Sequence, residues 1–252
     1  RLFDCDNVYA FQNPDGQLIF ASPYERDFTL IGSITHAFKG DPAIVAMGVR
    51  EVAYLCDAAN RYFREQIAPV DVLRTISAAN SVIAPARRHR SDGAASLDFG
   101  RGKAPLLTMF GGDVTTARWR AERAVSKFTR FHPMTPRWTA TAPLPGGEFA
   151  WQRFETEVDI ARDHWRFLSE AQARRLVAAY GLNVKDVLGD AKAKADLGPA
   201  FGAELTGAEV RYLMQKEWAR FPDDILWRRS KLGLTMPQAD RDALAAFMTK
   251  PD

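Results

Sequence analysis

Apolar and polar residues alternate from Val8 to Ile34 in the runs VYAFQ, LIFASPYE and FTLIG, interrupted by Asn13-Pro14-Asp15-Gly16 and by Arg26-Asp27. A period of two marks half-buried strands. Asn-Pro-Asp-Gly is a turn for a physical reason: the proline ring fixes φ at the second position, and glycine accepts the positive φ that closes the turn. A β-meander is predicted. After Asp41-Pro42, a capping residue followed by one suited to a first helical turn, the period changes. Val49, Val52, Ala53, Leu55, Cys56, Ala59 and Phe63 recur at helical spacing and predict an amphipathic helix to about residue 63. Val70 to Ser77 reads as a further strand. Pro85 to Gly102, basic and weakly patterned, reads as an exposed loop or hairpin, and Ala104 to Phe110 as a short apolar strand. Val114 to Phe131 returns to helical spacing at Ala117, Ala121, Ala124, Val125 and Phe128.

Four prolines and a Gly-Gly pair fall between His132 and Gly147, the clearest shift of composition in the chain. Everything beyond is patterned as helix. Ser169-Glu-Ala-Gln172 and Thr206-Gly-Ala-Glu209 match the capping box, in which the first and fourth side chains satisfy each other's free backbone donors. Gly181 and Gly189 stand where helices stop. Helices near 154–167, 170–180, 183–188, 207–220, 223–231 and 237–249 predict a small bundle. The expected division is 1–131, a linker at 132–150, and a helical domain at 151–252. Trp119, Trp138 and Trp151 are expected to anchor the core and the linker.

The chain of 252 residues is 46% hydrophobic and 26% charged, an ordinary globular composition. Lysines and arginines number 34 against 31 acidic residues, so no general affinity for nucleic acid follows. Cys5 and Cys56 belong to no metal-ligand spacing or CxxC pair, which suits a reducing compartment. No apolar run reaches the ~20 residues that cross a bilayer, and the chain reads as soluble. It opens on Arg1, within what looks like the approach to a strand, which points to a trimmed or processed fragment.

Phe110-Gly111-Gly112-Asp113-Val114-Thr115-Thr116 lies between a predicted strand and a predicted helix. A glycine pair there exposes backbone N–H groups at the positive end of the helix, where a phosphate can sit. A tight turn with no ligand reads equally well, and Asp113 disfavours an anion while suiting a helix cap. Arg87, Arg88, His89 and Arg90 form a basic cluster, either a solvated loop or a site for phosphate or carboxylate. His36, His132 and His164 are isolated and read as surface or structural residues.

The blocks YAFQNPDGQLIFASPYERDFTLIGS, GDPA, EVAYLCDAANRYF, KAPLLTMFGG with TT, LPGGEF and LTGAEVRYLMQKEWARFPDDILWRRSKLGL run in order along the chain. Together they resemble FAD-dependent glycerol-3-phosphate dehydrogenases of the aerobic, respiratory type. The resemblance implies an α+β fold: part of an FAD- and substrate-binding β-sheet domain followed by a carboxy-terminal all-α cap. It implies hydride transfer from C2 of glycerol 3-phosphate to FAD, giving dihydroxyacetone phosphate, with the electrons passed to quinone. It further implies a cytoplasmic protein in peripheral contact with the inner face of the membrane, while strand edges that would pair outside the chain leave a homo-oligomer open. Gly111, Gly112, Asp113, Val114, Thr115 and Thr116 would meet the cofactor. The family's amino-terminal GxGxxG is absent from this chain, so the fragment alone is not expected to bind FAD or to act.

Three departures fall where that family meets its substrate. The arginine of SGVRP corresponds to Asn80, the lysine of FGGK to Asp113, and the arginine of an RDY segment to Ser91, or to Arg90 if the loop shifts by one. Arg87, Arg88 and Arg90 are the candidate replacements for the lost cations. The changes leave two other readings open: a flavoprotein acting on another small hydroxy compound, or a non-catalytic relative whose helical cap is an interaction module. Within the last block, Arg228 and Arg229 are expected to hold helices together, and Asp223 and Asp224 to suit a helix start.

Overall fold

The computed structural model describes residues 1–79, 95–98, 106–109 and 114–249 and divides into two compact units, Arg1–Met134 and Thr135–Asp252. The meander forms as the alternation predicts. Strands β1 (Tyr9–Gln12), β2 (Leu18–Tyr24) and β3 (Phe28–Gly32) pair antiparallel in that order, with Phe11 opposite Ile19 and Ala21 opposite Ile31. At the first turn Gly16 takes φ +84° and donates to Asn13 O at 2.9 Å, a conformation that glycine adopts without steric cost.

Helix α1 (Val49–Asn60) packs its apolar side on one face of this sheet, burying Leu55 and Ala58 with Phe11, Ile19 and Ala21. A polar bridge stitches the turn to the helix. The Tyr54 hydroxyl accepts from Asn13 Nδ2 at 2.9 Å and donates to Asp15 Oδ2 at 2.8 Å. The Gln17 backbone N–H, followed by Tyr54, holds the Asp15 carboxyl below its ordinary range.

Two details depart from the sequence reading. Asp41-Pro42 starts only a single 3₁₀ turn, Pro42–Ile44, with Asp41 Oδ1 accepting from Ala43 N at 2.9 Å. The α-helix begins later, where the Glu51 carboxylate accepts the Gly48 N–H at 2.6 Å. Val70 to Ser77 is not a strand. A 3₁₀ turn covers Pro69–Asp71, and among the described residues no strand pairs with the segment from Val72 to Ser77, which leaves Val70, Leu73 and Ile76 exposed. A hairpin of β4 (Ala95–Asp98) and β5 (Leu106–Met109) and the helix α2 (Ala117–Ser126) complete the described part of this unit.

The second unit is helical from Trp151 on, which agrees with the helical carboxy-terminal part of the expected α+β fold. It contains α3 (Phe154–His164), α4 (Glu170–Tyr180), α5 (Val184–Leu188), α6 (Gly207–Lys216), a π-helical stretch Asp224–Arg229 and α7 (Gln238–Met248). One core holds Val158, Trp165, Leu176, Val177, Leu213, Ile225, Leu226 and Leu244. The tryptophan in that core is Trp165, whose indole N–H donates to Gly189 O at 3.1 Å. Trp119, Trp138 and Trp151, expected as anchors, are exposed. Gly181 and Gly189 end α4 and α5 at φ +55° and +52°.

Both capping motifs form only halfway. Ser169 Oγ accepts from Gln172 N at 3.1 Å and Thr206 Oγ1 from Glu209 N at 3.4 Å, as predicted. The reciprocal side chains are used elsewhere. Gln172 reaches Glu204 O at 3.3 Å. Glu209, only 1% exposed, accepts Arg175 through both oxygens at 2.7 and 2.8 Å and the Tyr180 hydroxyl at 2.8 Å. Local capping has become a bond between α4 and α6.

The EWAR…DDILWRRSKLGL block is held by similar ties. Asp224 Oδ2 accepts from Arg220 N and Phe221 N, each at 2.9 Å, and Oδ1 meets Arg228 at 2.8 Å. Arg229 donates to Glu217 O at 2.9 Å and lies 3.2 Å from the Glu217 carboxylate, joining the end of α6 to the π-helical stretch, as expected of it. A side chain at Gly233 would collide with the Trp227 ring, and Arg241 sits 5.6 Å from that ring's centre.

These contacts make two predictions about stability. Glu209→Ala leaves the Arg175 guanidinium and the Tyr180 hydroxyl without their acceptor, and breaking such a pair costs ~3–5 kcal/mol. A urea unfolding curve should show the fall, whereas replacing both members with apolar residues should recover much of it. The Asp224 carboxyl is held below its ordinary range by the Arg220 and Phe221 N–H groups, then by Arg228. A depressed folded-state pKa gives stability that is present above the unfolded carboxylate pKa and lost as pH falls through the folded one. Asp224→Asn should therefore lower the melting temperature at neutral pH and narrow the difference from wild type in acid.

Candidate functional site

Among the residues that sequence marks for cofactor contact, Val114, Thr115 and Thr116 are described, and they form the turn that leads into α2. Val114 is 89% exposed, and both threonines are exposed. The Thr116 side chain does not cap the helix, and the first turn of α2 carries no acidic residue. Arg118 and Arg120 flank that turn, with Arg118 lying 3.2 Å from Glu122 one turn on. The positive end of a helix beside arginines fits the phosphates of a dinucleotide in charge.

Gly111, Gly112, Asp113, Asn80, Arg87, Arg88 and Arg90 lie outside the described residues. Ser77, Ala78 and Ala79, which lead up to Asn80, are irregular backbone, with Ala78 and Ala79 exposed. Of the marked residues the structure thus describes only Val114 to Thr116, which lead into α2.

The remaining chemistry-bearing side chains stand apart. His36 Nδ1 is 3.5 Å from Glu51 Oε1. His164 lies edge-on to Trp165 with ring centres 4.4 Å apart, at the rim of a groove of about 470 Å³ in the helical unit. That groove is lined by Ile160, Trp165, Val184, Lys185 and Gly189 and contains none of the residues that sequence marks for function. Cys5 and Cys56 are free thiols, and burial pushes that of Cys56 up. Among the described residues no cluster of histidine, cysteine and carboxylate side chains could hold a metal, and no helix is long and apolar enough to cross a membrane.

Sequence reading missed the polar centre of the helical unit. Arg175, Tyr180 and Glu209 converge from α4 and α6, and burial, with the Glu209 carboxylate next, pushes the Tyr180 hydroxyl far above its ordinary range. The one available signal was a glutamate in a capping motif that also falls on the apolar side of its helix. Every polar atom of this cluster that meets a partner meets another member of the unit's own fold, which makes it a structural pair.

Comparison with known proteins finds relatives along almost the whole chain. Residues 137–249 match the family model described as the C-terminal domain of alpha-glycerophosphate oxidase. The chain is 37% identical over 98% of its length to a glycerol-3-phosphate dehydrogenase of Pseudomonas aeruginosa, covering 49% of that protein. It is 37% identical over 99% of its length to an aerobic glycerol-3-phosphate dehydrogenase of Escherichia coli, covering 51%. With a D-erythritol 1-phosphate dehydrogenase of Brucella abortus it shares 39% identity over 96% of its length and 49% of the relative. The chain spans about half the length of these curated relatives. Residues 137–249 thus match a C-terminal domain of the alpha-glycerophosphate oxidase type, and almost the whole chain is similar to one half of glycerol-3-phosphate dehydrogenases.

Proposed function

We propose that this chain is the carboxy-terminal part of a flavoprotein dehydrogenase that oxidises a small polyol phosphate, glycerol 3-phosphate in the first instance, and passes the electrons to quinone. The observation that carries the reading is similarity along almost the whole chain to proteins whose names agree on the reaction class, whether the polyol is glycerol or erythritol. FAD, when bound, supplies the ring that accepts the hydride from the substrate carbon.

Within this reading the chain's own residues bind and orient. Gly111, Gly112, Asp113, Val114, Thr115 and Thr116 would be the cofactor-side residues; the first turn of α2 carries no acid, which suits a diphosphate, while Asp113 ahead of it counts against one. Asn80 corresponds in sequence to the arginine with which the family meets its substrate. Arg87, Arg88 and Arg90 supply the positive charge that Asn80 and Asp113 do not. A second reading, oxidation of a longer polyol phosphate, is favoured by that same exchange of cations. Asn80 can hydrogen-bond an additional hydroxyl where an arginine would pair with phosphate.

Flavin absorbance in the full-length protein tests these readings. With FAD bound and oxygen excluded, glycerol 3-phosphate should bleach the flavin. Bleaching by D-erythritol 1-phosphate alone transfers the assignment to the longer polyol, and a flavin that neither compound reduces marks a non-catalytic relative.

The substrate assignment has its own check. Each charge-assisted contact to a phosphate is worth about 1.5–3 kcal/mol, so restoring two cations should be visible in steady-state kinetics. Asn80→Arg combined with Asp113→Lys should lower the half-saturating concentration of glycerol 3-phosphate at least ~10-fold, since ~1.4 kcal/mol is a factor of ten. An unchanged constant would show that these positions do not face the phosphate.

A further inference from the structure

Leu144-Pro145-Gly146-Gly147, the start of the LPGGEF block, forms a tight turn ahead of the first helix of the helical unit. Gly147 N donates to Leu144 O at 2.8 Å, the Pro145 ring fixes φ at the second position, and Gly146 takes φ +84° at the third. That combination is a type II turn. Pro143, Leu144, Pro145, Gly147 and Glu148 are all exposed, whereas Gly146 within the turn is buried. Among the described residues it is the one buried position from Val114 to Thr156. A lone buried glycine in so exposed a stretch marks a docking point and not a piece of core, because a core is built from side chains that touch one another.

The receptor is the end of α4. A side chain at Gly146 would collide with the Tyr180 carbonyl and crowd the Asn183 amide, and one at Gly181 would collide with the Gly146 carbonyl. Leu182 N donates to Gly146 O at 2.8 Å. Two backbones therefore meet with no side chain between them, and both glycines hold positive φ there.

The two sides of this contact are built unequally. Tyr180 is tied through its hydroxyl to the buried Glu209, and the Asn183 side chain hydrogen-bonds Tyr212, so the receptor is part of the helical core's own network. The turn is held by much less. Leu144 is 81% exposed, and between the turn and Trp151 only Phe149 is half-buried. Segments with few buried contacts open locally at a fraction of the free energy needed to unfold the whole domain.

We propose that Leu144–Gly147 is a releasable clasp that sets how much chain is free to extend between the two units. Closed, it fastens the chain to the helical unit at Gly146, and the exposed stretch ends at Pro143. Open, it releases residues 144–150 as well, which lengthens the joining segment by up to about 25 Å. The clasp thus falls inside the stretch that composition marks as a linker, 132–150, and divides it. It acts whichever polyol the protein oxidises.

Native-state hydrogen exchange of the wild-type full-length protein, followed at single residues in low concentrations of urea, tests the clasp without a substitution. The Leu182 amide, whose acceptor is Gly146 O, should exchange ~10-fold or more slowly than in the unfolded chain, yet ~10-fold or more faster than the Leu213 amide within α6. Exchange at the unfolded rate overturns the proposal, since no clasp would then exist. Exchange at the rate of Leu213 overturns it equally, since the turn would then be core. Gly146→Ala sets a methyl group against the Tyr180 carbonyl. It should speed exchange at Leu182 at least ~10-fold, raise cleavage after Glu148 by a glutamyl endopeptidase by a similar factor, and leave Leu213 protected. Unchanged exchange at Leu182 in this variant, or an equal loss of protection at Leu213, counts against the clasp.

Discussion

The helical unit is organised around one buried carboxylate. Glu209 sits at the start of α6 with 1% of its surface exposed, and an unpaired charge at such a site would cost several kcal/mol. Three donors make it tolerable: both terminal nitrogens of Arg175 and the hydroxyl of Tyr180. These demands set the geometry of much else. Arg175 and Tyr180 both lie on α4, so the carboxylate fixes the position of that helix relative to α6. Tyr180 is the last residue of α4, and the glycine after it lies so close to Gly146 that neither position admits a side chain. Leu182 N donates to Gly146 O at 2.8 Å. The end of the proline-rich stretch is thereby fastened to the same residues that satisfy Glu209. Arg175 Nε, buried without a partner, is what remains unsatisfied in this arrangement.

Much of this was legible in the sequence, and the places where it was not share a cause. Helix positions, the glycine stops and the meander are local properties, and their residues carry the signal within a few positions. Glu209 and Gln172 were misread because a capping motif describes a local bond, while both side chains found better partners from a different segment. Val70 to Ser77 alternates like a strand, but a strand exists only with a neighbour, and among the described residues none pairs with it. Trp119, Trp138 and Trp151 were expected to anchor the core and the linker, and all three are exposed. Trp165 entered the core because it lies at the end of α3, facing Gly189, and Trp151 did not because it lies in the 3₁₀ turn ahead of that helix.

The candidate site was legible to a different degree. Its cofactor side is proposed because a predicted strand, a glycine pair and a helix start leave a recognisable order of residues, and the part described, Val114 to Thr116, leads into α2. The substrate side depends on which of several arginines lies within reach of a phosphate. That is a matter of a few ångströms between loops, and neither Asn80 nor the 87–90 cluster carries a spacing that determines it. The long carboxy-terminal block had the strongest sequence signal and proved mainly architectural: Asp224, Arg228, Arg229 and Gly233 serve the packing of their own domain. Trp218 and Phe221 are its unabsorbed part.

Overall identity does not choose between polyols. The chain is 39% identical to the erythritol-phosphate enzyme and 37% identical to the glycerol-phosphate enzymes, a difference of a few positions along nearly the whole chain. Substrate choice is made by far fewer residues than that. A single charge-assisted contact changes binding by about a power of ten or more, whereas most surface differences change it hardly at all. If Asn80 and Asp113 face the substrate as proposed, the exchange of two cations there weighs more in the assignment of substrate than the whole difference in identity. The helical domain, whose residues are engaged mainly with one another, can stay constant while that exchange occurs. On the proposed reading, then, likeness to the family and choice of substrate are recorded in different parts of this chain: the first includes residues 137–249, the second would lie at a few positions before α2.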